Sequence, residues 1–443
     1  VAGAGAAATA VFSARAQTVS EALTRRVVAA AGASGAAQVR QTGYRRGLGR
    51  STQTLTVTLG PQARTPLRLQ VTNHIQHGPF PGLRRVAQAV VDTELRFEDA
   101  QVQARLDGAF AGKTPRLHTV VGLNGDTDTR LGVPGGTLST DGDTLTWQPL
   151  DAQLRSTARG LNTVADLSWP GFTVLSAGGG GSLRGLSLRS RTQRSGEDDL
   201  LGSGQSTLTM EQLSFGGGGQ HASLRGVSVS AEGQRSGDAF YDALLKLGVD
   251  GLTVDGQTLE NLQAHLAARH LARAPLNRLG RVVTELQHDR AEAGPQGTPA
   301  LSAARQRDLT GAGLALLLQA PVLSIERLSV GEEGQEIVLS AQVTVPDATG
   351  LSAAHLGRLG QEGVGRSPRT LAGRLTMRAD LSGGEGALRQ LLAAAGEPLA
   401  GLGDGLDALV EAGYLRRDGE RLSMSVRYAG GQGTLNGRAL EGF

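Results

Sequence analysis

Two stretches of this chain repeat one another. SLRGLSLRSRTQRSG, residues 182–196, recurs as SLRGVSVSAEGQRSG, residues 223–237, 41 positions later with nine of fifteen residues identical. A glycine run precedes each copy, at residues 178–181 and 216–219. A period near 40 residues is that of a supersecondary unit which buries its apolar side only by stacking on its neighbours. The copies alternate apolar and polar residues, so the unit is a pair of strands. Glycine runs of this kind also occur in flexible linkers, but their place ahead of each repeated strand makes them turns. The pattern predicts a long antiparallel meander from about residue 119 to 258.

The flanking segments are shorter and mixed. TVSEALTRRVVAAAG, residues 18–32, has the apolar spacing of an amphipathic helix, with Glu21 in its first turn. TQTLTVTL and LRLQV, residues 52–59 and 67–71, alternate as a hairpin. GLRRVAQAVVDTEL, residues 82–95, is expected to be a short helix with Pro81 in its first turn, where a missing N–H costs nothing. Asp141-Gly142-Asp143 marks a tight hairpin. Residues 258–293 read as a long helix bent at Pro275, and GLALLLQA, residues 313–320, as a buried helical turn. Strands are expected at 322–330, 336–345 and 370–383, a helical region at 385–412, and a strand at 421–429 before a closing hairpin at 430–440.

Together these give an α+β fold, a large, curved, mainly antiparallel sheet with an internal repeat of strand pairs, packed with several helices and elongated. Five segments follow: 1–16 as the remnant of a signal peptide or membrane anchor; 17–118 as helix, hairpin and corner; 119–258 as the repeated meander; 259–320 as a helical region; and 321–443 as strands, helix and closing hairpin.

Composition excludes several chemistries. With no Cys there is no disulfide, thiolate zinc site or thiol nucleophile. Aromatic residues are 3% of the chain, so the core must be aliphatic and small. The 44 basic residues, nearly all Arg, stand against 41 acidic ones for a net charge of +3. Scattered among acidic residues and without aromatic interleaving, they do not form a nucleic-acid footprint, and no nucleic-acid partner is expected. VAGAGAAATAVF, residues 1–12, is uncharged and precedes Ala14-Arg15-Ala16, which has signal-peptidase spacing. It is too short for a full span of about 30 Å as it stands.

Candidate ligands for a metal do not converge. His74 and His77 are three apart on an extended segment and point to opposite faces. His265 and His270, read on a helix, lie about 140° apart. Asn124, Asp126 and Asp128 alternate as in a calcium loop, but Thr129 and Gly135 stand where such a loop needs Gly and Glu, and a polar turn explains them. There is no G-x-S-x-G elbow and no P-loop. Asp198-Asp199 and Glu332-Glu333 read as solvated turns. No catalytic residue, metal site or cofactor is assigned.

The most individual stretch is NHIQHGPFPG, residues 73–82. Pro79 and Pro81 hold the residues before them extended, making Gly78, Pro79, Phe80 and Pro81 a rigid corner. His77 is expected to hydrogen-bond the turn, Phe80 to plug the core, and Tyr44 and Arg46 to supply the neighbouring strand. Three motifs together resemble the YdgA-type family of bacterial envelope proteins, whose molecular function is not established. They are Tyr44, Arg46 and Gly47 before an alternating strand; His77, Gly78, Pro79, Phe80 and Pro81; and the C-terminal YAGGQGTLNGRAL with Tyr428, Leu435, Asn436 and Gly437. The Leu-rich helix, Pro and strand of LLLQAPVLSIERLSV add a weaker match. The resemblance implies an N-terminal inner-membrane anchor with the rest outside the cytoplasm, on the periplasmic side or secreted, and it implies no catalytic residue.

Three functional readings stay open. One is a non-enzymatic envelope protein binding a lipid-like or other hydrophobic ligand on an extended sheet surface. A second is a structural protein forming homodimers through sheet edges. The third is an enzyme acting on envelope polymers, for which no acid–base pair or nucleophile can be named.

Overall fold

The computed structural model describes residues 37–47, 49–60, 66–83, 85–157, 160–196, 199, 201–293, 302–331, 336–352, 373–394 and 405–440. The expected anchor at 1–16 and helix at 18–32 lie outside them. The fold is α+β, mostly strand, with antiparallel sheet and a few short helices. Contacts divide the chain into two units, Val1–Gly202 with Gly280–Leu301, and Ser203–Leu279 with Ser302–Phe443.

In the first unit, β1 (Ala37–Arg46), β2 (Arg50–Leu59), β3 (Leu67–His77), β4 (Ala89–Phe97), β5 (Arg116–Val121) and β6 (Thr127–Val133) pair in chain order. The sheet continues from β6 to β9 (Leu150–Ser156), β10 (Asn162–Ser176) and β11 (Gly179–Gln193). The intervening hairpin, β7 (Gly136–Thr140) and β8 (Asp143–Trp147), pairs with the far half of β10. Its turn, Asp141-Gly142, has φ of 49° and 92°, both positive as the tightest right-twisted hairpin requires. Helix α1 (Ala100–Ala109) starts where the Asp99 carboxylate accepts from the N–H groups of Gln101 and Val102.

The helix expected at 82–95 is not formed. A single 3-10 turn, Pro81–Leu83, is followed by strand β4, which pairs residue for residue with β3. Val86, Ala87, Val90, Val91 and Leu95 mimic a helical stripe, but the strand half is rich in β-branched residues and has partners on both sides.

In the second unit, β12 (Ser203–Gly217), β13 (Gln220–Ser236), β14 (Phe240–Val254) and β15 (Gln257–Ala272) form a continuous meander. Helix α2 (Arg273–Ala293), which belongs to this unit only as far as Leu279, and helix α3 (Ala303–Leu317), capped by Ser302, follow. Pairing then resumes from β15 through β16 (Val322–Val330), β17 (Ile337–Thr344) and β18 (Thr376–Gly384). After α4 (Glu385–Ala394) and α5 (Leu406–Glu411) come β19 (Arg416–Asp418), β20 (Arg421–Ala429), β21 (Gln432–Leu435) and β22 (Arg438–Leu440). Strand β20 lies between β18 and β21, and β22 closes that edge.

The long helix expected from 258 is corrected by β15. Leu262, Ala264, Leu266 and Ala268 alternate with polar or small residues, and β14 and β16 flank the strand. Its many Ala and Leu favour helix in isolation, and two flanking ladders of hydrogen bonds override them. Pro275 therefore sits in the first turn of α2 and bends nothing. His265 and His270 belong to a strand and not to a helix.

The repeat has a structural meaning that simple alternation hides. On either side of Pro170 and Gly185, of Glu211 and Gly226, and of Asp250 and Asn261, the strand registers are unchanged, but these opposed residues do not pair. Gly185, Gly226 and Asn261 have φ of 64°, 61° and 52°. Apolar spacing becomes three across each such point: Trp169 and Phe172 stack at 5.4 Å, and Leu259 and Leu262 line the same cleft. The glycine in both copies of SLRG is thus where the strand turns its faces over.

Candidate functional site

The motif residues near the N-terminus meet at one end of β1–β4. Arg46 ends β1 opposite Ser51, and His77 ends β3 opposite Ala89. The His77 N–H donates to Gly49 O at 3.0 Å, tying the β1–β2 turn to the end of β3. Beyond His77 the chain does not leave the sheet. Gly78 N donates to Gln88 O at 2.7 Å and Ala87 N donates to Pro79 O at 3.1 Å, so HGPFP is the connection of the β3–β4 hairpin. The Gly78–Pro79 peptide is cis. A Cβ on Gly78 would fall 2.0 Å from Ala87 O, and one on Gly47 2.6 Å from Arg50 O, so neither position admits a side chain as built.

His77 is 4% exposed, and its Nε2 lies 2.8 Å from Ser51 Oγ, itself 4% exposed. The expected hydrogen bond to the turn is thus made to strand β2. Burial, with the Arg46 guanidinium adding to it, pushes the imidazole below its ordinary value, which favours the neutral form. Its Nδ1 and the Tyr44 hydroxyl are buried without a hydrogen-bond partner among the described residues. The Tyr44 ring packs on Ile75, Ala89 and Val121, the small aliphatic cluster under this corner. Phe80 does not plug that core: it is 57% exposed, and Pro81 is the buried residue of the pair.

Beside the corner a side-chain ladder crosses four strands. Thr93 Oγ1 donates to Asn73 Oδ1 at 2.7 Å, Asn73 Nδ2 to Gln53 Oε1 at 3.1 Å, and Gln53 Nε2 to Gln41 Oε1 at 2.9 Å. Gln53 is 1% exposed, so the ladder removes the penalty of burying an unpaired amide. No sequence motif marked it; Gln53, Asn73 and Thr93 are directly paired on adjacent strands, and Gln41 joins them across the irregularity in β1.

The C-terminal motif forms a separate corner in the second unit. Asn436 and Gly437 turn β21 into β22 with φ of 52° and 84°. Ser425 N donates to Asn436 Oδ1 at 2.9 Å, while Asn436 Nδ2 donates to Gly413 O and Tyr414 O, each at 3.0 Å. One buried amide therefore binds the closing hairpin to β20 and to the end of α5. Leu435 pairs with Val426, and Tyr428 with Gly433 and Met377.

The remaining candidates stay apart. His74 lies 3.6 Å from Glu94, and His118 2.7 Å from Asp92, on an exposed face. His270 stacks on Phe240, and its N–H donates to Asp242. Asn124 and Asp126 close an Asx turn, while Asp128 accepts from Gln153 on β9. Asp199 accepts from Ser195; Asp198, Glu332 and Glu333 are outside the described residues. Among the described residues no group of three His, Asp or Glu is placed to hold a metal ion.

What the second unit does have is an apolar cleft of about 500 Å³. Its floor is Leu247 and Val249 of β14, Leu259 and Leu262 of β15, Leu328 and Val330 of β16, Leu339 of β17 and Leu381 of β18. Leu247, Leu266, Leu323, Leu328 and Met377 on this side are 37–50% exposed. The residues between them, Lys246, His265, Gln342, Arg378 and Asp380, take the other face by alternation. Helix α3 covers Val345, Ala348 and Leu351 through Leu314 and Leu317, and α4 and α5 cover Leu422 through Leu388 and Leu406. Over the cleft itself the described helices leave the sheet open.

A family model matches residues 1–441. The chain belongs to the DUF945 family. That family is described as bacterial protein of unknown function, so membership carries no reaction. No curated protein and no solved structure matches the chain.

Proposed function

We propose that this DUF945 protein is a non-enzymatic component of the bacterial cell envelope that holds a lipid-like ligand, by its acyl chain, on the apolar face of β14–β18. The observation that carries this is the open cleft. Eight Leu and Val side chains from five adjacent strands form one apolar surface, while Lys246, His265, Gln342, Arg378 and Asp380 stand on the opposite face of the same strands. Its volume falls in the ~300–1,000 Å³ range of small-molecule sites, and burying such a surface against a hydrocarbon chain contributes roughly 25 cal/mol per Å². The resemblance to YdgA-type envelope proteins, and the apolar run at residues 1–12, support the address.

The Ser51–His77 pair does not favour hydrolysis. Both residues are more than nine-tenths buried, so Oγ is not available to a polymer without opening the strand pair.

The test is direct. Delipidated protein should bind a fluorescent long-chain fatty acid saturably, and unlabelled fatty acid should displace it. Leu328→Arg, at a residue 45% exposed, should abolish that binding with the melting temperature kept. Absence of saturable binding, together with no lipid extracted from protein purified without added lipid, would refute the proposal.

A further inference from the structure

The nearly even charge of the whole chain conceals a strongly uneven one. From residue 22 to residue 91 there is no Asp or Glu, and there are ten Arg, at 25, 26, 40, 45, 46, 50, 64, 68, 84 and 85. Against a net charge of +3, the remainder of the chain is therefore negative. The expectation that Arg is scattered among acidic residues fails for this segment.

The fold gathers part of this charge at the HGPFP corner. Arg45 and Arg46 end β1, Arg50 begins β2, and Arg85 lies in the return from Pro81 to β4. All four side chains are exposed. At a strand spacing near 4.8 Å the ends of β1–β4 span about 15 Å. Among these cations protrude Phe80 and Val86, 57% and 61% exposed. An exposed Phe and Val beside clustered guanidiniums, in a segment with no carboxylate, are not explained by the packing of the corner, which Tyr44, Ile75, Ala89 and Val121 complete beneath it.

We propose that this corner docks on an anionic phospholipid surface. The guanidiniums meet headgroup phosphates, for which their planar donors are suited, and Phe80 and Val86 enter the layer between headgroups and acyl chains. Charge complementarity selects the partner, and the apolar pair selects a membrane over nucleic acid. Stacking on bases needs several aromatic faces along a groove, whereas here one Phe and one aliphatic residue stand out from a corner and Tyr44 is turned inward. The inference is independent of the cleft on the second unit.

The experiment uses the full chain with phosphatidylcholine vesicles, with and without phosphatidylglycerol. Sedimentation with vesicles should require phosphatidylglycerol and weaken steeply with salt. Arg45→Ala, Arg50→Ala and Arg85→Ala should each weaken it roughly fivefold, while Arg189→Ala on β11 should not. In Phe80→Trp the emission, after subtraction of the parent signal, should shift to the blue on the same vesicles. The N-terminal apolar run could by itself bring the chain to vesicles, so the variants decide. Vesicle binding unchanged by all three corner substitutions, or binding to a DNA duplex with none to vesicles, overturns the proposal.

Discussion

At the scale of single residues, the motif positions act mainly on the backbone around them. His77→Leu keeps the corner filled but leaves Ser51 Oγ buried and unpaired, which costs about 1–3 kcal/mol. Denaturant melts should show this loss. The pH dependence gives a second readout. Between the ordinary His value of 6.5 and the lower value in the folded protein, the unfolded chain binds a proton that the folded chain does not, so stability rises with pH across that window. The parent should lose stability as pH falls below about 6.5; the Leu variant should lack that component. Identical slopes would show that His77 is not the group responsible. Asn436→Ala removes three hydrogen bonds from one buried amide, and a loss of about 2–4 kcal/mol is expected, with early exchange of the amides in β21 and β22. The sequence singled out both residues, but it misassigned Phe80, three positions after His77. Whether a Phe beside two prolines faces inward depends on where the returning chain passes, and residues 87–88 take that position.

At the scale of elements, the strands with local punctuation were legible and those defined by distant partners were not. Asp141-Gly142 and Asn436-Gly437 announce their hairpins because two successive positive φ angles need such residues whatever surrounds them. The second glycine run closes a turn, as expected, with Gly218 and Gly219 at φ of 60° and 84° linking β12 to β13, whereas in the first only Gly178 lies in the turn and Gly179–Gly181 begin β11. By contrast β4 and β15 carry sequences acceptable to a helix, and only their partners on either side make them strands. The glycine of the SLRG repeat adds a prediction at this scale. In Gly226→Ala the new Cβ would meet Asp250 Oδ2 at 1.8 Å on a backbone with φ of 61°. A loss of about 1–3 kcal/mol is expected, whereas Asn261→Gly, at φ of 52° across the next strand, should be nearly neutral. Equal costs would mean that positive φ is not what the repeat preserves.

At the scale of the whole molecule, the sheet of the second unit has one polar face and one apolar face that its described helices cover only at the ends. A surface of that kind is suited to a ligand or to another copy of the chain. Light scattering over a range of concentrations separates the two. For ligand binding, the monomer fraction should not change when Leu328→Arg abolishes fatty-acid binding; a dimer that dissociates in that variant would assign the face to self-association. The sequence by itself determined the antiparallel class, the repeat and the hairpin turns, because each depends on side-chain alternation or on φ preferences a few residues long. Only the tertiary structure decided that residues 258–272 pair as a strand, that the described helices leave the apolar face uncovered over β14–β18, and that scattered arginines meet beside Phe80. Those features depend on strands far apart in the chain lying about 5 Å apart in space, and no local pattern encodes which strand will be the neighbour.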